Sequence, residues 1–263
     1  MTSQSLERFD AQVIMAHALG VNRAWIAANP MRILTESEDA KIDMLAVQRA
    51  MGRPVAYLLG SREFYGYDFT VGPDVLIPRP ETETLVEAAL VRLAPRDTCL
   101  DLGTGSGAIA ITIARQRPQA RVVATDASAA ALVLARRNAE THACADRIEF
   151  LEGSWFAPVG DRRFDVIVAN PPYIAAGDPH LARGDLRFEP QSALTDGSAD
   201  GLDSIRAIVA GAPGHLNPRG WLLLEHGYDQ AAATRALLES AGFRDLVSIP
   251  DLAGIPRVAG GKI

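Results

Sequence analysis

After residue 96 the chain alternates between short apolar runs and segments whose apolar residues recur at helical spacing. The runs that indicate strands are Thr98–Asp101, Arg121–Asp126, Ile148–Leu151, Phe164–Ala169 and Trp221–Glu225. The segments that indicate helices are Ala108–Gln116, Ala129–Thr141, Leu202–Ala212 and Ala231–Ala241. Two last runs, which indicate a terminal antiparallel hairpin, are Phe243–Ile249 and Arg257–Ile263. Because strands joined through helices pair in parallel, we predict an α/β fold with a mostly parallel sheet that has helices on both faces.

The first 60 residues carry a helical pattern without strand-like runs. Four apolar residues recur at helical spacing just before a glycine, namely Phe9, Val13, Ala16 and Leu19. A second helix is predicted to begin at a cap, Thr35 or Ser37, and to end near Gly52. Neither helix can bury its apolar face alone, so residues 1–60 are predicted to form a small helical domain.

Between these two parts, Phe64–Ile77 is rich in aromatic and β-branched residues and contains a turn-forming segment, Gly72-Pro73-Asp74. This pattern predicts a β-hairpin that links the domains over residues 61–79. Pro80 then suits the first turn of a helix that opens a second domain, residues 80–263.

Composition and charge limit the possible partners. The formal net charge of −6 disfavours general binding to nucleic acid, which needs a basic face. The longest apolar runs, such as Ala108–Ile111, are far shorter than the ~20 residues of a membrane span. With only two cysteines and a polar, charged start at Met1–Asp10, the chain is expected to be a cytoplasmic protein without membrane partners.

The first candidate site is the segment Asp101-Leu102-Gly103-Thr104-Gly105-Ser106-Gly107, between a strand and a helix. Glycines there let the backbone approach a ligand, although such a loop alone also fits a dinucleotide site or a tight turn that binds nothing. Asp126 ends the next strand, nineteen positions after Gly107, where an acid can bind ribose hydroxyls or merely cap a helix. Asp101 would repel a pyrophosphate but suits the α-ammonium of a methionine moiety, which favours S-adenosylmethionine.

The second candidate site is Asn170-Pro171-Pro172-Tyr173, directly after the predicted strand Phe164–Ala169. A residue before proline stays extended and proline has no N–H. The Asn170 side-chain oxygen and the Pro171 carbonyl can therefore both accept from one planar NH₂ group, against which Tyr173 can lie. Two acceptors hold such a nitrogen in line with a methyl donor and stabilise the positive charge it gains. A simple Pro-Pro turn is the alternative interpretation.

Other residues give weaker signals. Trp155 and Phe156 follow the third strand and can either flank an adenine or belong to the core. Glu225 ends a strand and is either a site carboxylate or a solvated one. The five histidines do not recur at metal-ligand spacing, so no metal site is predicted.

Together these segments resemble the PrmC/HemK family, the peptide chain release factor glutamine methyltransferases, which are class I enzymes dependent on S-adenosylmethionine. The resemblance covers nearly the whole chain. Besides the two candidate sites, its segments are Pro54–Leu58, Arg62–Gly66, Val75–Glu83, Glu189-Pro190, Ala193-Leu194, Asp200–Leu202, Glu225 and Gly227–Gln230.

The resemblance implies a Rossmann-like methyltransferase domain and a helical N-terminal domain that recognises the release factor. It further implies transfer of a methyl group to the N5 amide nitrogen of the glutamine in a Gly-Gly-Gln loop, with S-adenosylhomocysteine as product and no metal. The cofactor-binding residues would be Asp101, Gly103, Thr104, Gly105, Ser106, Gly107, Asp126, Trp155 and Asn170. The glutamine amide would be held by Asn170, Pro171, Pro172 and Tyr173, of which Asn170, Pro171 and Tyr173 are the catalytic candidates.

The sequence departs from the family pattern at Gln191-Ser192 and Asp196-Gly197-Ser198, in a stretch expected to face the substrate. Three alternatives stay open at this point: a ribosomal-protein glutamine methyltransferase, an adenine-N6 nucleic-acid methyltransferase and a non-catalytic module that binds S-adenosylmethionine.

Overall fold

The structure is a computed structural model and describes residues 8–263, with the side chains from residue 9 onward. The N-terminal part of it is helical. Its helices are α1 (Arg8–Leu19), α2 (Arg23–Ala28), α3 (Glu36–Ala50) and α4 (Val55–Leu59). Thr35 is the cap of α3, because its hydroxyl accepts from Glu38 N while the Glu38 carboxylate accepts from Thr35 N.

The prediction of which face of α1 is buried is partly wrong. Phe9 is 57% exposed, whereas Ile14 is buried against Leu45 of α3. The buried face is therefore rotated toward Ile14 and Ala18, because α1 packs against both α3 and α4 instead of one partner helix.

The linker contains a hairpin of β1 (Ser61–Phe64) and β2 (Tyr67–Thr70), but the turn is not where the sequence predicts it. Tyr65 and Gly66 form the turn, with φ values of 53° and 77° that match the twist of a two-residue hairpin. Gly72-Pro73-Asp74 makes a separate turn outside the strand pair, closed by Val75 N donating to Gly72 O. The proposed division at residues 60 and 79 stays a prediction.

The rest of the chain forms a seven-stranded sheet, as the alternation of apolar runs predicts. Its strands are β3 (Thr98–Leu102), β4 (Arg121–Asp126), β5 (Ile148–Glu152), β6 (Phe164–Ala169), β7 (Leu216–Glu225), β8 (Arg244–Pro250) and β9 (Pro256–Lys262). Their order is β5-β4-β3-β6-β7-β9-β8. The first five are parallel, and β9 runs antiparallel to both of its neighbours, which confirms the terminal hairpin.

Six further helices follow the hairpin. They are α5 (Glu83–Arg92), α6 (Ala108–Gln116), α7 (Ala129–Thr141), α8 (Gln191–Leu194), α9 (Asp203–His215) and α10 (Ala231–Ser240). All of them except α8 cover the two faces of the sheet. Residues of α5, α6 and α7 share one apolar core with the hairpin, and residues of α9 and α10 form the core of the opposite face. Successive residues of β3 alternate between these cores: Cys99 lies in the first, Leu100 in the second.

The strand order places the two candidate sites side by side. The chain runs outward from β3 to β4 and β5, then returns so that β6 lies on the other side of β3. Leu102 at the end of β3 is paired with Ala169 at the end of β6. Segments that leave two parallel strands at such a reversal open a crevice between them, where α/β proteins bind ligands.

Asn138 of α7 connects the hairpin to the loop after β3. Its fully buried amide donates to Thr70 O at 3.0 Å and Ser106 O at 2.9 Å, and accepts from Thr70 N at 2.9 Å. One side chain therefore continues the pairing of β2 and fixes the loop that lines the crevice.

Replacing this amide should destabilise the fold. We expect Asn138→Ala to lower the free energy of unfolding by about 2–4 kcal/mol, since each buried polar group left unpaired costs roughly 1–3 kcal/mol. Urea denaturation measures the change. Asn29→Ala, in which the lost hydrogen bond is exposed, should change it by less than about 0.5 kcal/mol. Equal urea midpoints for Asn138→Ala and the wild type would contradict this role.

Candidate active site

The segments after β3, β4, β5 and β6 line one cavity of about 400 Å³ at the carboxyl edge of the sheet. The predicted site residues that line it are Gly103, Thr104, Gly105, Ser106, Asp126, Trp155, Asn170 and Pro172. Four others do not line it: Asp101, Gly107, Pro171 and Tyr173. Pro171 and Tyr173 line an adjoining cavity of about 60 Å³, which shares Asn170 with the larger one.

The first backbone N–H groups of the glycine loop donate hydrogen bonds to other groups of the protein. Gly103 N and Thr104 N donate to Thr125 O, and Gly105 N donates to the Asp126 carboxylate. These amides are thus not free for a ligand, which differs from the expectation for a helix N-terminus. Gly105 has a φ of 56°, and a Cβ there would meet nothing within 4 Å. The loop therefore offers close backbone approach and open space.

Gly107 has a packing role. A Cβ at this position would lie 2.8 Å from Ile111 Cδ1 and 3.2 Å from Ala135 Cβ. Only a glycine lets α6 and α7 approach this closely, as in the helix-packing glycine of dinucleotide-binding loops.

Asp126 both shapes the loops and faces the cavity. Its Oδ2 accepts from Gly105 N and its Oδ1 from Ser128 N, each at 2.8 Å. A carboxylate has about four lone-pair sites, so two remain for hydroxyl donors in the cavity. The capping and the ribose-binding interpretations are therefore compatible in this geometry.

Asp101 lies behind the loop and is fully buried. The Thr104 hydroxyl donates to its Oδ2 at 2.6 Å, whereas Oδ1 is buried without a hydrogen-bond partner. Burial raises the pKa of Asp101 to about 7. An unpaired buried carboxylate oxygen beside this loop is the group that a cationic donor would satisfy.

Of the two aromatic residues after β5, one faces the cavity. Trp155 lines it and has a φ of 47°, an unusual value for a residue with a side chain. Phe156 is instead a core residue that stacks on His215 with ring centroids 4.4 Å apart. Only Trp155 is placed to contact an adenine ring.

Asn170 leaves β6 with its amide oriented by Thr82. Asn170 Nδ2 donates to the buried Thr82 hydroxyl oxygen at 3.1 Å. No donor among the described residues reaches Asn170 Oδ1, so this oxygen is available as an acceptor where the two cavities meet. The orientation is the one the sequence analysis requires.

Tyr173 is held at both its backbone and its hydroxyl. Its carbonyl accepts from Gln230 Nε2 at 2.9 Å, and its hydroxyl donates to Glu225 Oε1 at 3.2 Å. Burial and the Glu225 carboxylate raise the pKa of Tyr173 far above its ordinary value, so the hydroxyl stays protonated.

Glu225 is fully buried, so the interpretation as a solvated carboxylate is wrong. Burial raises its pKa to about 7, although the hydrogen bond that the Tyr173 hydroxyl donates to it lowers the pKa. The sequence analysis missed Thr82 as a site residue, although it belongs to the segment Val75–Glu83 that carries the family resemblance.

A second missed residue, Glu189, fixes the wall of the cavity formed by residues 74–79. Its buried carboxylate accepts from Ile77 N at 2.9 Å and forms an ion pair with Arg79. Residues 74–79 are thereby attached to the chain that follows Tyr173, and Arg79 lines both cavities.

The two departures from the family pattern have different positions. Ser192 lines the large cavity, as expected for a stretch that faces the substrate. Asp196 accepts from Ser198 N and Ser204 N, so its carboxylate caps the start of α9.

No group of three or more potential metal ligands occurs within residues 8–263. Over the same residues, every helix is too short or too polar to cross a membrane.

Comparisons with known proteins identify the family of the chain. Residues 2–60 match the family model "PrmC N-terminal domain", and residues 81–184 match "Methyltransferase small domain". The release factor glutamine methyltransferase of Xylella fastidiosa is 52% identical over 99% of this chain and 94% of that protein. The one from Burkholderia pseudomallei is 51% identical over 100% of this chain and 94% of that protein. The one from Pseudomonas aeruginosa is 48% identical over 97% and 92%.

Solved structures share the fold at lower identity. A methyltransferase from Pyrococcus furiosus superposes with a TM-score of 0.57 at 20% identity, covering 82% of this chain and 95% of that one. A 16S rRNA N2 G1207 methyltransferase of Thermus thermophilus, solved with AdoMet and guanosine, has a TM-score of 0.55 at 24% identity, covering 77% and 49%. The predicted class I methyltransferase fold, with its mostly parallel Rossmann-like sheet, is confirmed. With half of its residues shared with such relatives over nearly its whole length, the chain belongs to the family of release factor glutamine methyltransferases and depends on S-adenosylmethionine.

Proposed function

We propose that this protein transfers a methyl group from S-adenosylmethionine to the N5 side-chain nitrogen of the glutamine in the Gly-Gly-Gln motif of class 1 peptide chain release factors. The observation that carries the proposal is the free Oδ1 of Asn170, directed by the hydrogen bond from Nδ2 to Thr82. S-adenosylmethionine supplies an electrophilic methyl group on a sulfonium, and S-adenosylhomocysteine is left after transfer. The protein supplies position and electrostatic stabilisation.

The large cavity fits this donor. Its volume of about 400 Å³ is within the usual range for a pocket that encloses a small molecule. Asp126 would accept from the ribose hydroxyls and Trp155 would contact the adenine. The loop Gly103–Gly107 would lie along the methionine end, and the unpaired Oδ1 of Asp101 would attract the α-ammonium.

The adjoining smaller cavity fits a side-chain amide. An amide nitrogen is a poor nucleophile because its lone pair is delocalised. Asn170 Oδ1 and the Pro171 carbonyl would accept its two hydrogens, hold it in line with the methyl group and stabilise the charge that develops. Tyr173 would complete the substrate pocket with its ring against the flat amide, and Pro172 would border the amide from the side of the large cavity.

The N-terminal helices are attached to the chain that would border the bound substrate. Arg49 of α3 donates to Asp10 of α1 at 2.7 Å and to Asp185 at 2.8 Å. Arg187 Nη2 donates to Met51 O at 2.8 Å. These contacts support a domain, residues 1–60, that recognises the body of the release factor while residues 61–79 link it to the methyltransferase domain, 80–263. A cytoplasmic location and the absence of stable nucleic-acid binding are part of the same proposal.

Mass spectrometry of a purified class 1 release factor, after incubation with the protein and S-adenosylmethionine, tests this function. We expect the tryptic peptide that contains Gly-Gly-Gln to gain one methyl group on the glutamine. Methyl transfer to ribosomal protein or DNA instead would support one of the alternative substrates, and transfer to none of the three would contradict the proposed function.

Asn170→Ala should reduce turnover by roughly 10²–10³ with little change in donor affinity. Asn217→Ala, at the opposite edge of the sheet, should keep wild-type turnover.

The role of Asp101 predicts a pH dependence. Because its pKa is raised to about 7 in the folded protein, the folded state retains a proton that the unfolded chain loses near pH 4, and stability falls as pH rises between these values. Asp101→Asn removes this contribution. The Tm of the variant relative to the wild type should therefore be higher at pH 8 than at pH 5.5.

The same variant tests whether the charge of Asp101, buried behind the glycine loop, attracts the donor. The affinity of the wild type for S-adenosylmethionine, measured by calorimetry, should increase from pH 6 to pH 8 as Asp101 ionises. Asp101→Asn should bind more weakly than the wild type at pH 8, because it lacks the negative charge behind the glycine loop, and should show a flatter dependence on pH. Equal affinities of the wild type and Asp101→Asn at pH 8 would contradict this role and would leave Asp101 only as the hydrogen-bond acceptor of Thr104.

A further inference from the structure

We propose that Gln230 is a positioning residue that fixes the backbone of Tyr173 and, with it, the Pro171 carbonyl. The proposal rests on the function given above, in which this carbonyl accepts from the reacting glutamine amide. Gln230 lines neither cavity, so it acts through Tyr173 and does not contact the substrate. Its segment, Gly227–Gln230, carries part of the family resemblance, and the function proposed above gives it no role.

The two prolines after Asn170 leave this part of the chain with few hydrogen bonds of its own. Pro171 and Pro172 have no N–H, so neither can be held by donating from its backbone. Among the described residues, no backbone N–H donates to the Pro171 carbonyl, and the first backbone atom after Asn170 that forms a hydrogen bond is the Tyr173 carbonyl oxygen. The position of the Pro171 carbonyl therefore depends on how Tyr173 is held.

The Gln230 amide joins three separate segments of the chain. Its Nε2 donates to Tyr173 O and to Asp200 O, each at 2.9 Å. Its Oε1 accepts from Gly227 N at 2.8 Å. Because carbonyl oxygens only accept and the backbone N–H only donates, all three groups are satisfied in this orientation of the amide alone. Gln230 is 8% exposed, so water competes little for these bonds.

These bonds attach the segment that leaves β6 to the segment that leaves β7. Ala169 at the end of β6 is paired with Leu224 near the end of β7. Beyond the two strands, Tyr173 is held at its hydroxyl by Glu225 and at its carbonyl by Gln230. Both the ring and the backbone of Tyr173 are thus fixed relative to β7.

Gly201, just before α9, permits the close packing around the Tyr173 carbonyl. Its φ is 67°, and a Cβ there would overlap Tyr173 O and lie 2.8 Å from the Tyr173 carbonyl carbon. These are backbone atoms, which cannot turn aside as the end of a flexible side chain can. An alanine at this position would therefore displace the Tyr173 carbonyl from Gln230. A substitution at Gly201 thus reaches the same carbonyl from a different element.

Steady-state kinetics on a class 1 release factor test this role. Gln230→Met keeps the length of the side chain but removes the amide. It should lower kcat roughly 10–100-fold, the effect of misplacing a reacting group by about 1 Å. The affinity for S-adenosylmethionine, measured by calorimetry, should stay unchanged, because Gln230 does not line the large cavity.

The control is a second buried polar residue of the same region. Thr234→Val, one turn further along α10, removes a buried hydroxyl that has no hydrogen-bond partner and should keep wild-type kcat. Expressing kcat per donor-binding site counted by calorimetry leaves misfolded protein out of the comparison. Wild-type kcat in Gln230→Met, or an equal loss of donor affinity and kcat, would overturn the proposal.

Gly201→Ala tests the same carbonyl without removing a polar group, and should also lower kcat roughly 10–100-fold. Gly242→Ala is the matched control, since Gly242 has a φ of 86° and a Cβ there would meet nothing within 4 Å. It introduces comparable backbone strain without a contact to Tyr173, and should keep wild-type kcat. Equal kcat values in the two alanine variants would contradict the proposal.

A measurement on the unliganded protein is independent of the methyl acceptor. Tyr173-Ile174 is the only Tyr-Ile pair in the sequence, so ¹³C at the tyrosine carbonyl and ¹⁵N in isoleucine give one resonance for the Tyr173 carbonyl. This carbon should shift upfield in Gln230→Met, because its oxygen loses a hydrogen bond, and should not shift in Thr234→Val. An unshifted resonance in Gln230→Met would overturn the proposal, whether or not release factor is methylated. If the resonance shifts but the wild type methylates no release factor, the placement of Tyr173 by Gln230 stands and only the proposed function is contradicted.

Discussion

The site depends on the parallel pairing of β3 with β6. This pairing forms where the chain reverses its direction of travel across the sheet, so the segments after the two strands diverge and leave a crevice. One segment carries the glycine loop and the other begins at Asn170. The register of Leu102 against Ala169 sets the separation of the glycine loop from Asn170, and the apolar cores on both faces hold that register. A shift by one residue would turn the side chains of β6 to the wrong core.

Three buried acids surround this crevice, and each fixes a different part of it. Asp101 lies under the glycine loop, Glu189 holds the wall at Ile77, and Glu225 lies beneath Tyr173. Burying a carboxylate costs several kcal/mol unless hydrogen bonds or ion pairs offset the loss of water. Concentrating such groups around one cavity indicates that the region is organised for binding and chemistry at the expense of stability. The raised pKa values of Asp101 and Glu225 follow from the same burial.

The sequence predicts elements well where their signals are local. β4 and β6 each contain an apolar stretch, Val122–Ala124 and Val166–Ala169, and both strands have the predicted bounds. The start of β7 was missed because Asn217–Gly220 resembles a turn, yet the strand continues through a register shift opposite Phe164. The hairpin turn was misplaced because Gly72-Pro73-Asp74 is the stronger local turn signal, whereas Tyr65 accepts a positive φ only in the context of the paired strands.

The site residues also divide into those with a local signal in the sequence and those without one. The glycine loop and the segment Asn170–Tyr173 are contiguous, so their residue types disclose their chemistry. Thr82 and Asn170 are 88 positions apart, and Ile77 and Glu189 are 112 apart. Interactions over such separations arise from the fold and leave no periodic signal in one sequence. Sequence reasoning therefore found the residues proposed to contact the reactants, but not Thr82 and Glu189, which bond to Asn170 and to the chain at Ile77.

A crystal structure of the protein with S-adenosylhomocysteine and a Gly-Gly-Gln peptide is the most direct test of how the reacting amide is held. We expect the glutamine side-chain nitrogen to lie within roughly 2.7–3.2 Å of both Asn170 Oδ1 and the Pro171 carbonyl oxygen. The homocysteine sulfur should face that nitrogen across the junction of the two cavities. A glutamine nitrogen bound to other groups, or an Asn170 amide turned with Nδ2 toward the peptide, would contradict this account.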